Sequence, residues 1–253
     1  MEKASSLAGL GIEVRYGDYT KPESLQQAFS GASKLLFISS PDSDDTLRVV
    51  QHANVVKAAR DAGVQHIAYT GYAFGEESIV PLAQVHLATE HAIRTTGIPY
   101  TFLRNSLYTE VFINPGLGAS VEHGAIVTNT GRGTVNSVTR SDLALAAATV
   151  LAGEGHENKT YNLVSNQTWS FDDLAQIVSE VTGKKKSFTS PFPSKKKKNI
   201  LLNAGLPEPI AVLMAGIYHA VSVGETSKTS DDLVKLIGTL TPLKDTVKQA
   251  LQK

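Results

Sequence analysis

Polar residues stand at the ends of four apolar runs in the first hundred residues. Asp18 closes "IEVRYGD", Ser39 and Ser40 close "KLLFISS", Thr70 and Tyr72 lie in "HIAYTGY", and Asn105 follows "YTFLR". In an open parallel sheet, ligands bind in the crevice outside the carboxyl ends of the strands. Residues in these places, with Phe37 and Ile38 just ahead of the serines, are therefore those able to touch one. Each has a plain structural use as well. An Asp after a strand forms turns, Ser-Pro opens an ordinary loop, and a Tyr at a strand end is packed as often as it is used. His86, in "VPLAQVHLATEHAIRTTG", is by itself a surface or core residue of a helix. Tyr108, Phe112, Trp169 and Tyr218 either pack a planar ligand or fill a core. Asp142, in "VTRSDLALAA", reads as a helix N-cap with no catalytic role.

These residues need a frame to hold them. Strands are expected at 12–17, 34–39, 66–70, 100–104 and 125–128. "TLRVVQHANVVKAARDAG" places Leu47, Val50, Ala53, Val56 and Ala59 on one helical stripe that Gly63 closes, and residues 80–97 form a second helix ended by Gly97. Alternating strands and helices, with apolar runs such as "KLLFIS", predict an α/β fold whose doubly wound parallel sheet is covered on both faces. The last hundred residues change character. A strand leads to Ser170 and Asp173, spaced as a capping box, then to an amphipathic helix and further helices. The expected division is 1–150 for the parallel-sheet domain and 151–253 for a smaller, mostly helical α/β lobe. Two lysine runs, 184–186 and 195–198, flank "SPFPS". Without an aromatic ladder they read as solvated loop charge rather than as a site for an anionic ligand.

Composition narrows the classes. The chain has 253 residues, 42% of them hydrophobic, and 24 basic against 24 acidic side chains, so no polyanion partner is implied. The absence of Cys excludes disulfides, thiol catalysis and thiolate-bound metal, and no metal site is expected. No apolar run approaches the roughly 18 residues of a membrane span. "MEKASS" is neither a signal nor a transit peptide. The expectation is a cytoplasmic protein that engages neither nucleic acid nor membrane.

The run "HIAYTGYAFGEESIVPLAQVHLATEHAIRTTGIPYTFLRNSLY" resembles the NmrA-like atypical short-chain dehydrogenases. "YGDYTKPESLQQAFSGASKLLFIS", "HANVVKAARDAGVQHIAYT" and "GHENKTYNLVSNQTWSFDDLAQIVSEVTGKK" extend the resemblance to nearly the whole chain. It implies a Rossmann-like sheet and NADPH as cofactor, with NADH as second choice. The implied reaction is hydride transfer to a small aromatic acceptor, a quinone or a triphenylmethane-like dye, and the implied assembly a homodimer. It places Asp18 near the adenine, and Phe37, Ile38, Ser39 and Ser40 beside the ribose and phosphates. Thr70 would help hold the reacting group, and Asn105 would lie near the nicotinamide. Tyr72, Tyr108, Phe112 and Trp169 would pack the acceptor. His86 falls where related dehydrogenases keep the Lys that holds the nicotinamide ribose, and Leu82 where they keep a proton-donating Tyr. Losing that donor disfavours alcohol dehydrogenation. It suits acceptors that need hydride alone, or that take a proton from His86 or water.

Members of the group open with a strand, a "TGATGxLG" loop, a helix and a second strand. Gly9 and Gly11 precede an extended stretch instead of following one, "NPGLGAS" has no firm strand before it, and "GRG" at 131–133 reads as a turn. The expected sheet therefore lacks its first βαβ unit, roughly 30 or more residues, and leaves the strand at 34–39 with an unpaired edge. A non-catalytic dinucleotide sensor, or an inactive remnant of such an enzyme, is the alternative.

Overall fold

Apolar runs punctuated by glycines that end helices set the rhythm of the first half of the molecule. In the computed structural model, residues 4–113, 117, 125–183, 187–189, 202 and 207–252 are described. A short helix α1 (Ser5–Ala8) leads to α2 (Pro22–Phe29), β1 (Lys34–Phe37), α3 (Asp45–Asp61), β2 (His66–Tyr72), α4 (Leu82–Thr95) and β3 (Tyr100–Asn105). The Asp44 side chain caps α3 by accepting from the Leu47 amide. Gly63 and Gly97 follow α3 and α4 with φ of 74° and 72°, a conformation costly for any residue with a Cβ.

All pairings in the central sheet are parallel. Lys34 lies opposite His66, Ile67 opposite Tyr100 and Thr101 opposite Lys159 of β8 (Lys159–Leu163), which gives the order β1-β2-β3-β8. Between β3 and β8 come β4 (Leu107–Tyr108), α5 (Thr109–Phe112), β5 (Ala125–Val127), β6 (Thr134–Val135), β7 (Ser137–Val138) and α6 (Arg140–Ala152); β8 spans Lys159–Leu163. The chain finishes with β9 (Trp169–Ser170), α7 (Phe171–Thr182), β10 (Ser187–Thr189), α8 (Glu208–Ser222), α9 (Asp232–Ile237) and α10 (Leu243–Leu251).

Both faces of the sheet are covered, as its apolar runs require. Leu25, Phe37, Val55, Ala59, Ile67 and Phe102 form the cluster on one face. Ala68, Leu103, Leu143, Ala146, Leu163 and Leu233 form the other. A third cluster, built on Phe112, Trp169, Phe171 and Val178, lies in the later part of the chain. Burying each large side chain of this kind contributes about 1.5–3 kcal/mol.

Several expectations change. Residues 12–17 are largely exposed and form no strand among the described residues. Alternation sets extended backbone, whereas a strand exists only where a neighbour supplies donors and acceptors. Arg15 instead reaches the Ser30 and Ala28 carbonyls, at 2.5 and 3.1 Å. The strand expected at 34–39 stops at Phe37. On α3 the buried side is Arg48, Gln51, His52, Val55, Val56 and Ala59, while Leu47 and Val50 face solvent, so the stripe read from the sequence is turned at its start. Asp142 is no N-cap. Thr139 caps α6, and the buried Asp142 carboxylate accepts from the Thr241 amide and hydroxyl at 3.0 and 2.8 Å. Ser170 and Asp173 do form the capping box. Residues 159–163, counted with the C-terminal lobe, form the fourth strand of the main sheet. The lysine runs at 184–186 and 195–198, "SPFPS", and most of "NPGLGAS" lie outside the described residues. No single described helix is long and apolar enough to cross a membrane.

Candidate active site

Where β1 ends, its backbone is held by side chains from two neighbouring elements. The Ser39 amide donates to Thr70 Oγ1 at 3.1 Å, which ties the β1 end to β2. The Ser40 amide donates to His52 Nε2 at 2.9 Å. That bond fixes the tautomer: Nδ1 carries the proton and donates to Thr89 Oγ1 at 2.7 Å, and the Thr89 hydroxyl donates to the Val85 carbonyl at 2.8 Å. Burial, and then the charge of Arg48, push His52 down to about 4, so the chain of bonds runs through a neutral ring. Ser40 Oγ also makes a short bond to Gln51 Oε1, and Gln51 Nε2 donates to Asp42 at 3.0 Å. The turn from Ser40 to Asp42 is thereby clamped to α3.

A groove of about 460 Å³ runs beside this turn, with Asp18, Tyr19, Ser40 and Gln51 among its lining residues. Asp18 Oδ1 accepts from the Thr20 hydroxyl and amide at 2.7 and 2.9 Å, which holds its carboxyl below the usual range. Ile38 is 57% exposed at the β1 end, an apolar side chain left for a ligand to cover. Asp18 and Ser40 thus share one concave surface.

His86 lies on α4, buried, with Nδ1 2.8 Å from the Tyr69 hydroxyl. Its Nε2 has no hydrogen-bond partner among the described residues. Burial first, then Arg48 and His52, push His86 down to about 3. The ring is therefore neutral at ordinary pH. The Tyr72 ring stacks on it at 6.3 Å and 25°. Burial, and then the charge of Glu225, push the Tyr72 hydroxyl up to about 12. Asn105 ends β3 opposite Tyr72. Its carbonyl accepts from the Ala73 amide at 3.0 Å, while its side-chain amide has no partner among the described residues.

Beneath this rim lies an ion cluster. Arg104 donates to both oxygens of the buried Glu90, at 2.8 and 2.7 Å, and to both oxygens of Glu76, at 2.8 and 2.6 Å. The paired carboxylates raise Arg104 above its usual range. Gly71 makes room for the cluster, since a Cβ there would come within 3.1 Å of Glu90 Oε1. After β2 the chain turns sharply at Phe74, whose φ of 52° is unusual for a residue with a side chain. The Asn162 side chain holds the Phe74 amide at 3.0 Å. Tyr72, Phe74, Ser78, Asn105, Asn136, Glu225 and Lys228 are among the residues that line one cleft.

Not every candidate meets at this place. Phe112 and Trp169 lie edge to face at 5.5 Å inside the third core cluster, together with Tyr218. Trp169 Nε1 donates to Ser137 Oγ at 2.9 Å. Tyr108 packs against the second sheet cluster, with the Arg140 guanidinium 4.5 Å above its ring. Sequence reasoning missed His52, Gln51 and Thr89. Polar residues at the helical spacing 48, 51, 52 on an otherwise apolar helix were the available signal. Phe74, Glu225 and Lys228 carried no motif at all.

A parallel sheet covered on both faces, with polar side chains gathered at the carboxyl ends of its strands, is the architecture of Rossmann-like dinucleotide-binding proteins. Within that class the chain belongs to the NmrA-like family, whose model matches residues 1–245. It is 72% identical to the triphenylmethane reductase of Citrobacter sp. in complex with NADP(H), covering 99% of this chain and 88% of that one, with a TM-score of 0.97. The NADPH-dependent quinone oxidoreductase of Escherichia coli, complexed with NADPH, is 36% identical over 98% of this chain and 87% of that one, with a TM-score of 0.92. Over 236 residues the chain is 38% identical to quinone oxidoreductase 2 of Escherichia coli, 93% of this chain and 81% of the relative.

Proposed function

We infer that this protein is an NAD(P)H-dependent oxidoreductase that transfers hydride to a quinone or a triphenylmethane-dye-like aromatic acceptor. The observation that carries the reading is a juxtaposition. Two polar groups without partners among the described residues, the Asn105 side-chain amide and His86 Nε2, flank Tyr72, which lines a cleft together with Phe74 and Asn105. Relatives solved with NADP(H) and with NADPH support the choice of cofactor.

The residues present fit such a cofactor. Exposed Ile38 and the groove beside Asp18 and Ser40 offer an apolar face and a carboxylate acceptor for the adenosine half. Ser39 and Ser40 border its ribose and phosphates, and His86 and Asn105 offer donors and an acceptor at the nicotinamide end. No strand–glycine loop–helix phosphate cradle stands among the described residues. Bound NADPH supplies a hydride from the nicotinamide C4. The protein's part is positioning: the clamped turn fixes one end of the cofactor, and Tyr72 and Phe74 set the plane of the acceptor. Thr70, its hydroxyl already engaged by the Ser39 amide, acts by holding the β1 end in place. Tyr108, Phe112 and Trp169 support the cleft from the cores they occupy.

The balance differs between acceptors. A triarylmethane cation takes the hydride at its central carbon and becomes the neutral leuco compound with no proton uptake. A quinone takes hydride and one proton to give the hydroquinone. Neutral His86 holds a hydrogen bond, and water supplies that proton. The cytoplasm, where NADPH is regenerated, is the location that goes with this reading. A sensor that binds dinucleotide alone has no use for an aromatic cleft beside the nicotinamide end. The test is stoichiometric: one NADPH oxidised per dye decolourised or per quinone reduced. NADPH binding without oxidation by any acceptor of either kind would replace the enzyme with the sensor.

A further inference from the structure

Of the cations on α3, Arg48 alone is buried, with 8% of its surface exposed. Its Nε is out of water, and none of its N–H groups donates a hydrogen bond among the described residues. Its one ion pair, to the half-exposed Asp45, is long at 3.8 Å. The Asp42 carboxylate is already engaged by the Asp44 amide and by Gln51. A guanidinium carries five donors. Taking it out of water with none of them answered is costly, and native structures rarely keep such a group without use. Its place on the helix narrows that use. Arg48 lies three and four residues before Gln51 and His52, on the same buried face of α3. Those two side chains clamp the Ser40 turn, and His52 is bonded through Thr89 to α4, the helix that carries His86. The helix α3 starts just past the carboxyl end of β1, and helical side chains lean toward the N-terminus of their helix. Arg48 therefore leans toward the edge of the sheet where ligands of this fold class bind. Its charge is felt at both ends of that edge. It adds to the pull of the Asp44 amide and Gln51 that holds Asp42 below the usual range, and after burial it does most to keep His86 neutral.

We propose that Arg48 is the cation that receives the diphosphate bridge of the bound dinucleotide. The proposal rests on the cofactor half of the reading above and names a residue for the part of the cofactor that has no protein partner there. The groove beside Asp18 and Ser40 takes the adenosine half, His86 and Asn105 stand at the nicotinamide end, and the diphosphate joins the two. With no glycine-loop cradle among the described residues, a side-chain donor between those ends carries more of the binding. A guanidinium suits the task, because its planar fork bonds two phosphate oxygens side by side and its charge is permanent. The neighbouring rings of His52 and His86 are neutral, so neither competes with Arg48 for an anion. Binding fills empty donors and breaks no hydrogen bond that Arg48 now makes. The N-terminus of α3 adds its partial positive charge in the same place.

The test measures binding by titration calorimetry, without turnover, in the wild-type chain, Arg48→Gln and Arg48→Lys. Three probes are used: NADP+, 2′-phospho-ADP-ribose, which keeps the diphosphate but lacks nicotinamide, and adenosine 2′-phosphate, which lacks the bridge. In Arg48→Gln the Kd values of the first two rise by the same factor, about 10- to 100-fold, while that of adenosine 2′-phosphate stays within about twofold. Arg48→Lys keeps part of the affinity, since an ammonium preserves the charge and loses the fork. Without ligand, the urea midpoint of Arg48→Gln does not fall, because no hydrogen bond is lost. The rise in midpoint that 2′-phospho-ADP-ribose gives the wild type shrinks in the variant. Unchanged affinity for the two diphosphates in Arg48→Gln overturns the proposal, and so does an equal loss for all three probes. The reductase reading fails separately. A wild type that binds 2′-phospho-ADP-ribose through Arg48, yet oxidises no NADPH with any quinone or dye, keeps the proposal and loses that reading. A wild type that binds neither NADP+ nor 2′-phospho-ADP-ribose overturns both.

Discussion

The two sides of the rim where β2 and β3 end treat their polar groups in opposite ways. On the sheet side, each named group is answered: Ser40 by His52, His52 by Thr89, Thr89 by Val85, and Arg104 by Glu90 and Glu76. On the cleft side, Glu225 Oε2 has no partner among the described residues, and neither has the Asn105 side-chain amide. Satisfied networks fix geometry, because a buried group that loses its partner is expensive. Unsatisfied groups at a rim mark where a ligand completes the bonding. The contrast divides one polar neighbourhood into a part that holds and a part that binds.

Breaking the sheet side should cost the most. Arg104→Met leaves Glu90, whose side chain is 2% exposed, as a buried charge without a cation. A loss of about 3–5 kcal/mol in chemical denaturation is expected. Acid acts on the same side. His52 and His86 have folded pKa values of about 4 and about 3, below the ordinary 6.5, and His66 is shifted the same way by burial. The unfolded chain binds more protons than the folded one below 6.5, so stability falls as pH drops through 6.5 and levels off only near 4 to 3. From pH 7 to pH 5 the loss expected for His52 and His86 together is about 2–4 kcal/mol, and above pH 7 these two contribute no slope. Urea midpoints across that range measure it. His52→Leu strands the buried Ser40 amide at a cost of about 1–3 kcal/mol. It should also raise the KM for NADPH, because the turn bordering the groove loses its anchor. The cleft side should behave differently. Glu225→Gln removes a buried carboxylate oxygen that has no donor among the described residues, so it should cost no stability, and a clear loss in chemical denaturation would place Glu225 among the groups that hold.

What could be read in advance follows the same division. The parallel sheet, the helices ended by Gly63 and Gly97 and the Ser170 capping box were legible, because periodicity and cap chemistry are local. The start of α3 misled, since Leu47 and Val50 are apolar yet face solvent, and the inner face there meets the polar Ser40 turn instead of the core. Asp142 looked like a cap because caps and helix-start acceptors use the same side chains; its partner, Thr241, is 99 residues away. Thr70, Tyr72 and Asn105 were singled out from strand ends and do lie at the ends of β2 and β3, Ser40 lies just past β1, and Asp18 follows a stretch that forms no strand among the described residues. Phe112 and Trp169 are aromatic in the right region of the chain, yet tertiary packing turns them into a core. Glu225 was beyond reach, because nothing near it in sequence says that it meets Ser78 and Tyr72.

The most direct measurement follows the hydride itself. NADPH carrying deuterium at one C4 position is oxidised by the enzyme with a cationic triphenylmethane dye, and the leuco product is weighed and its label located. One of the two C4 diastereomers should deliver a single deuterium to the central carbon, the other none, as expected when cofactor and acceptor are held face to face across Asn105 and Tyr72. A leuco product unlabelled from both diastereomers would show that its hydrogen comes from solvent, and direct transfer at this rim would be wrong.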